Sequence, residues 1–283
     1  MAVTNFVPDI WSARILENLS KTSVGAAVCN RDYEGDASVG DSVKITSITD
    51  PTITAYTGSD MTPEDIDDAT QALALDQKQS FNFYLDDVER AQSVNGGAIM
   101  QAAIDRAAYG LSNVLDAYVL DLLAAGASNS GPDHDIAEAT ISTAAGAYDA
   151  LVDWSVLLDK ANVPAEERFV VVSPDFYGKI LKDSRFVGAG DDAGAATRAN
   201  GRVGQAAGFE VYRSNNLPAG PGAGAGTYQI AGSRYATTLA EQVRSVEAYR
   251  VEKKFADGVK GLHVYGAKAT RPTALVAADI IIS

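Results

Sequence analysis

The chain has one cysteine, Cys29, and two histidines among 283 residues. A single thiol excludes a disulfide framework and any paired-cysteine zinc site. Two histidines leave few ways to assemble a Ser–His–Asp triad. Basic residues are short against acidic ones, 23 to 37, for a net charge of −14. That balance argues against a chain that grips nucleic acid by neutralising phosphates. No apolar run approaches the roughly 18–20 residues needed to cross a bilayer. The opening Met1-Ala-Val-Thr-Asn-Phe-Val-Pro has neither a basic region nor an apolar stretch, so no signal peptide is read. No period of 20–50 residues repeats, which excludes solenoids and propellers. What remains is 46% hydrophobic residues, enough for a sizeable core in one large domain or two smaller ones.

The charge is unevenly placed. Residues 1–142 carry 22 acids and 7 bases, net −15; residues 143–283 carry 15 acids and 16 bases, net +1. The densest window, 60–89, holds nine acids opposed only by Lys78.

Residues 8–20 read as an amphipathic helix, with Pro8 in its first turn and Ile10, Trp11, Ile15, Leu16 and Leu19 on one side. Val24 to Val28 is a short apolar stretch. Residues 38–57 look extended, and residues 58–69 form an acidic turn. Leu73, Leu75, Phe81, Phe83 and Leu85 then share one parity over thirteen residues. Period two of that length predicts one strand of about 40 Å, the second arm of a projecting hairpin with an acidic tip. Residues 94–125 predict a long helix with Ile104, Ala107, Leu111, Val114, Tyr118 and Leu122 as its stripe, ended by Gly126. A second helix is expected over about 142–161, with Tyr148, Leu151, Val152, Val156 and Leu157 inward. Arg168 to Val172 is a buried-type strand, and Pro174 opens a helix to about Asp183. Residues 188–208 and the Pro-Ala-Gly-Pro-Gly-Ala-Gly-Ala-Gly run at 218–226 read as flexible loops, around strands at 209–213 and 227–231. Val243–Phe255 and Val259–Ala269 predict a hairpin turning at Asp257-Gly258, and Ala274–Ile282 a last strand.

The candidate chemistry is thin. The glycines at 220–226 match neither dinucleotide nor P-loop spacing, and Gly201-Arg-Val-Gly lacks the P-loop lysine. Asp32-Tyr-Glu-Gly-Asp departs from a calcium loop at Ala37 and Val43. Asp133-His134-Asp135 is a surface loop. Ser173 and Ser233 lack the glycines of a nucleophile elbow, and Cys29 reads as an inert core thiol. No catalytic, cofactor-binding or metal-binding residues are assigned. Asp86-Asp87-Val-Glu-Arg90 joins hairpin to helix, either as a solvated junction with local ion pairs or as a charged hinge pairing with a neighbouring subunit.

The order of segments resembles the tailed-phage major capsid proteins of the HK97 fold, and the resemblance covers nearly the whole chain. Phe6-Val-Pro-Asp-Ile-Trp-Ser-Ala-Arg-Ile-Leu is similar to the family's N-terminal arm. Gly40-Asp-Ser-Val-Lys-Ile, Phe83-Tyr-Leu-Asp-Asp-Val-Glu-Arg-Ala-Gln, Phe169-Val-Val-Val-Ser-Pro-Asp-Phe-Tyr, Gly208-Phe-Glu-Val-Tyr-Arg and Glu247-Ala-Tyr-Arg-Val-Glu-Lys-Lys-Phe follow in its order. The resemblance implies an α+β chain. Its parts are an N-terminal arm (1–37), an extended β-hairpin or E-loop with flanking strands (38–89) and a spine helix in a peripheral domain (90–132). An axial domain (133–240) and the peripheral domain's return strands (241–283) complete it.

The implied function is a non-enzymatic shell subunit. It forms hexamers and pentamers of an icosahedral head around the double-stranded DNA of a tailed bacteriophage, within the virion, assembled in the host cytoplasm. The alternative is an encapsulin-like nanocompartment of the same fold. Implied partners are other copies of the chain, a separate scaffolding protein, a portal, decoration proteins, and DNA touched without sequence specificity; no membrane is involved. Some relatives cross-link an E-loop lysine, but here the projecting part has only Lys78, so no covalent cross-link is expected. Candidate subunit contacts are Trp11, Ile15 and Leu16 on the arm, Asp65, Asp67 and Asp68 at the hairpin tip, and Asp86, Asp87 and Arg90 at the junction. Arg244, Arg250, Lys253 and Lys254 are the cations expected to offset a neighbour's acidic segment.

Overall fold

A computed structural model describes residues 24–33, 41–48, 68–88, 96–131, 134–183, 204–224 and 226–283, together with Thr52, Ile53, Ala55 and Arg185. The expected arm helix, the acidic turn and most of 188–208 lie outside these residues.

The first described element is a five-residue helix, α1 (Val24–Val28). It is followed by β1 (Ser42–Ile48) and β2 (Asp68–Ala74), which pair antiparallel from Ser42↔Ala74 to Ile48↔Asp68. β3 (Gln77–Asp86) follows after two residues. The period-two run is therefore not one strand. Its alternation stays in phase, with Leu73 and Leu75 buried and residues 77–85 alternating half-buried and exposed. The pairing partner changes, however: β2 pairs with β1, and β3 enters a three-stranded antiparallel sheet with β9 (Thr237–Arg250) and β10 (Ala256–Ala269), in the order β3-β10-β9. Alternation reports which face is covered, not which strand covers the edge.

The spine, α2 (Gly96–Ser128), has 33 residues and spans about 50 Å. Its buried line is Ile104, Ala108, Leu111, Leu115, Val119, Leu123 and Ala127. The expected line drifts off this face: Val114 is exposed and Tyr118 and Leu122 are only half-buried. Gly126 does not end the helix. A Cβ there would lie 2.8 Å from the Ala269 Cβ and 2.9 Å from Leu275 Cδ1, so it is a point of close approach. The N-terminal half of α2 packs Ile104, Ala108 and Leu111 on the three-stranded sheet; the C-terminal half enters the main core.

That core surrounds a six-stranded sheet. Its members are β4 (Asp135–Ile141), β5 (Arg168–Val172), β6 (Gln205–Ala206), β7 (Phe209–Arg213), β8 (Thr227–Ser233) and β11 (Leu275–Ile282), in the order β4-β11-β8-β5-β7-β6. β5 is buried throughout, as is β11 from Leu275 to Ile280, because helices cover the sheet. One is α2; another is α3 (Ala144–Lys160), whose N-cap Thr143 accepts from the Gly146 amide. α3 buries Ala147, Leu151, Trp154 and Leu158. Val152 and Val156, expected inward, are exposed. α4 (Pro174–Lys182) is capped by Ser173 and packs on α3, where Phe176 stacks on Trp154 at 5.7 Å.

β9 (Thr237–Arg250) and β10 (Ala256–Ala269) form the long hairpin. Its turn is Val251–Phe255, not Asp257-Gly258. Gly258 sits within the strand opposite Tyr249, whose ring a Cβ would meet at 2.8 Å. Asp257 is opposite Arg250 and bonded to it at 2.7 Å. The glycine is there for the aromatic ring, and the chain reverses over the charged residues instead.

Candidate functional site

The residues with chemical potential are engaged in holding the fold. Cys29 is fully buried, and burial pushes its thiol up to about 12, so the reactive thiolate does not form at ordinary pH. The Ser173 hydroxyl caps α4 through the Phe176 amide at 3.3 Å. His134 Nδ1 lies 2.8 Å from the Leu275 carbonyl. A cleft of about 340 Å³ on β3 and β10 is lined by Phe81, Asn82, Leu262 and a Lys260–Glu247 ion pair at 2.8 Å. No group of three or more metal-type ligands occurs among the described residues.

The 218–226 segment is not the free loop its glycines suggest. Gly222 N–H donates to Asp279 Oδ2 at 3.0 Å, and Gly224 N–H to Glu138 Oε2 at 2.8 Å. Gly220 N–H closes the loop onto the Gly226 carbonyl at 2.9 Å. A Cβ at Gly220 or Gly226 would fall 1.9 Å from Asp279 Oδ1. The glycines make room for two carboxylates, and the amides that a phosphate would use are already bonded to them.

The candidate surface is the far end of the three-stranded sheet. Phe255 stands 81% exposed in the β9–β10 turn, beside Val88 at 59% and Tyr84 at 50%. These three side chains come from different elements, held together by polar contacts. Asp87 N–H donates to the Phe255 carbonyl at 2.9 Å. Arg250 donates to Asp87 through both terminal nitrogens, one at 3.1 Å, and to Asp257 at 2.7 Å. Hydrogen bonding to Asp87, then to Asp257, raises the Arg250 guanidinium above its ordinary value. Lys254 Nζ donates to the Tyr84 hydroxyl at 2.8 Å and lies 4.7 Å from its ring centroid. An apolar cluster on a braced turn, rimmed by Lys253 and Lys254, is a surface suited to a partner.

The expected contact residues fall into three groups. Trp11, Ile15, Leu16, Asp65, Asp67 and Arg90 lie outside the described residues. Asp68 and Arg244 are placed by their backbones alone, in β2 opposite Ile48 and in β9. Asp86, Asp87, Arg250, Lys253 and Lys254 all lie at this end of the sheet. Asp86 Oδ1 accepts from the Val88 amide at 2.8 Å. Arg250 is matched to acids of its own chain, so it is not the spare cation that the charge arithmetic suggested. The exposure of Phe255 was not foreseen, because placing the turn at Asp257-Gly258 put it inside a strand.

β2 lies beside the opposite end of β10. Before it enters β3 the chain is held there by two contacts: Lys268 Nζ donates to the Ala72 carbonyl at 3.0 Å, and Gln71 Nε2 to the Thr270 carbonyl at 3.5 Å. Asp86 faces Ala256 while Gln71 faces Thr270. Fifteen extended residues separate these points, about 50 Å.

Comparison with known proteins agrees with this architecture. A family described as phage capsid protein matches residues 69–278. A structure from Mycobacterium phage Che8 is 29% identical, covers 91% of each chain and superposes with a TM-score of 0.75. The capsid of Cyanophage P-SCSP1u is 18% identical over 87% of this chain and 85% of its own, with a TM-score of 0.65. A virus-like particle from Pyrococcus furiosus is 14% identical over 94% and 96%, with a TM-score of 0.56. The last two likenesses show the fold. No curated protein sequence matches the chain.

Proposed function

The chain belongs to the phage capsid protein family, as a major capsid protein with the HK97 fold, and on that premise we propose that it builds the icosahedral head of a tailed bacteriophage as hexamers and pentamers around double-stranded DNA. The observation that carries this is the end-to-end match to the phage Che8 structure together with the family match over residues 69–278. The nanocompartment reading is not favoured: the sequence likeness lies with the phage structure.

The subunit is a structural protein, and its main partner is itself. The arm, with Trp11, Ile15 and Leu16, buries its apolar side on a neighbouring copy. Asp65, Asp67 and Asp68 of the acidic segment, with Met61 and Ile66 among them, meet the turn that carries Phe255, Val88, Lys253 and Lys254 on a neighbouring copy. A head-to-tail contact of this kind closes a ring where the rotation between copies closes. Scaffolding, portal and decoration proteins are the further partners, and assembly takes place in the host cytoplasm. The shell confines DNA without reading it; a net charge of −14 lets packaged DNA slide rather than stick.

Negative-stain microscopy of the purified protein tests the reading. Closed shells or capsomer rings are expected, and a uniform monomer in all conditions would overturn it. Nucleic acid inside shells from infected cells separates a virus head from a nanocompartment. Deletion of residues 58–69 is expected to abolish closed particles, and raised salt to loosen them.

A further inference from the structure

Asp116 lies midway along α2, 4% exposed. Its carboxylate is filled from two sides. Oδ1 accepts the Gly25 amide at 2.7 Å; Oδ2 accepts the Ser214 hydroxyl at 3.2 Å and Asn216 Nδ2 at 2.9 Å. The Gly25 amide is in the first turn of α1, where helical amides have no partner within their own helix. Gly25 itself permits the approach, since a Cβ there would sit 2.9 Å from the Val119 Cβ. On the other side, Ser214 N–H donates to the Val172 carbonyl at 3.1 Å, and Asn216 N–H donates to the Ser214 hydroxyl at 3.1 Å. The 214–216 segment is thus an extension of the six-stranded sheet. One buried carboxylate joins the spine, the end of the N-terminal segment and that sheet.

We infer that Asp116 is a positioning residue for assembly: it fixes the start of α1 against the spine and ties that point to the six-stranded sheet. A second attachment holds the chain just after α1. Asn30 N–H donates to the Thr237 carbonyl at 2.9 Å, Leu239 N–H to the Asn30 carbonyl at 2.9 Å, and Arg31 pairs with Glu241 at 3.2 Å. The residue type follows from the donor count. A carboxylate is acceptor-only and takes N–H and O–H groups on both oxygens. An asparagine at 116 would turn its amide donors on either Gly25 or the Ser214–Asn216 pair, leaving buried donors unmatched.

The test uses the full chain with Asp116→Asn and Asn216→Ala. In D116N the amides of residues 25–28 are expected to exchange with solvent about tenfold faster or more, while those of β5 and β11 keep their protection. In N216A the same amides exchange faster by a smaller factor, although Asn216 does not touch α1; a residue that merely stabilised its own loop would not have this effect. The inference rests on the shell reading for its second readout, microscopy, where D116N is expected to give open or irregular particles. If the unmodified chain forms no particles, the shell reading fails and the exchange data still decide this inference. Unchanged exchange at 25–28 in N216A, or normal closed particles from D116N, overturns it. Should D116N not fold, the exchange measured in N216A decides alone.

Discussion

The six-stranded sheet and the three-stranded sheet share one helix but satisfy their apolar groups differently. Around the six-stranded sheet, α2, α3 and α4 bury β5 completely and leave one continuous core. The three-stranded sheet is covered by smaller clusters, one on α2 built on Ile104, Val246 and Val259 and one against β1 and β2 built on Leu73, Ala240 and Val264, while Leu239 and Tyr265 reach the main core. β3 alternates half-buried with exposed residues along its length. Its far end carries Phe255, Val88 and Tyr84 in water, yet braced by Arg250, Asp87 and Lys254. One part of the subunit is complete as a fold. The other leaves apolar side chains exposed on a turn held by ion pairs, the arrangement expected of a chain that finishes its packing on copies of itself.

Substitutions should separate the two parts by what they damage. Phe176→Ala removes a fully buried ring from its stack on Trp154. It is expected to cost about 3–5 kcal/mol of stability in a denaturant titration of the unassembled subunit. A loss no larger than that of an exposed residue would mean that the core of the six-stranded sheet is not the self-sufficient part. Gly222→Ala comes next. The added methyl would fall 2.0 Å from Glu138 Oε2 and 2.8 Å from Asp279 Oδ2. Glu138 is exposed and can give way, but Asp279 is 1% exposed and cannot; about 1–3 kcal/mol is expected. An unchanged midpoint would restore the flexible-loop reading of residues 218–226. Ser173→Ala deletes the cap of α4 and is expected to cost about 1 kcal/mol.

The same contrast decides what could be read from the residues alone. The elements of the six-stranded sheet and its helices were legible because each carries its own signal: a continuous apolar run in β5, Pro174 after a capping serine, and a final apolar strand. The three-stranded sheet was legible as periodicity but not as pairing. Leu73 to Leu85 announced a covered face, and nothing local said that β1 covers one half and β10 the other. Asp257-Gly258 reads as a turn by composition, and only the Tyr249 ring across the hairpin explains why that glycine lies in a strand. The glycines at 220–226 read as slack because their partners, Asp279 and Glu138, are remote in sequence. The acidic and basic contact candidates came from charge counting, which cannot tell an acid matched within the chain, such as Asp87, from one left for a neighbour.

The smallest expected effect on folding is the most telling for assembly. Phe255→Ser replaces the most exposed side chain of the tip, which buries little apolar area in the subunit. Its expected change in unfolding free energy is within about 0.5 kcal/mol. Arg250 and Asp87 remain to brace the turn, so its backbone should keep its shape. If the tip seats on a neighbour, the exposed ring leaves water only in the assembled shell, and its loss removes stabilisation there at roughly 25 cal/mol per Å², repeated at every equivalent contact. F255S is therefore expected to fold and melt like the unmodified subunit while giving fewer closed particles at a given protein concentration. Lys253→Glu, which reverses charge on the same turn, should lower particle yield further and weaken its dependence on salt. A marked loss of subunit stability in F255S would mean that the tip belongs to the fold. Undiminished particle yield with unchanged stability would leave the exposed aromatic without a partner in the shell.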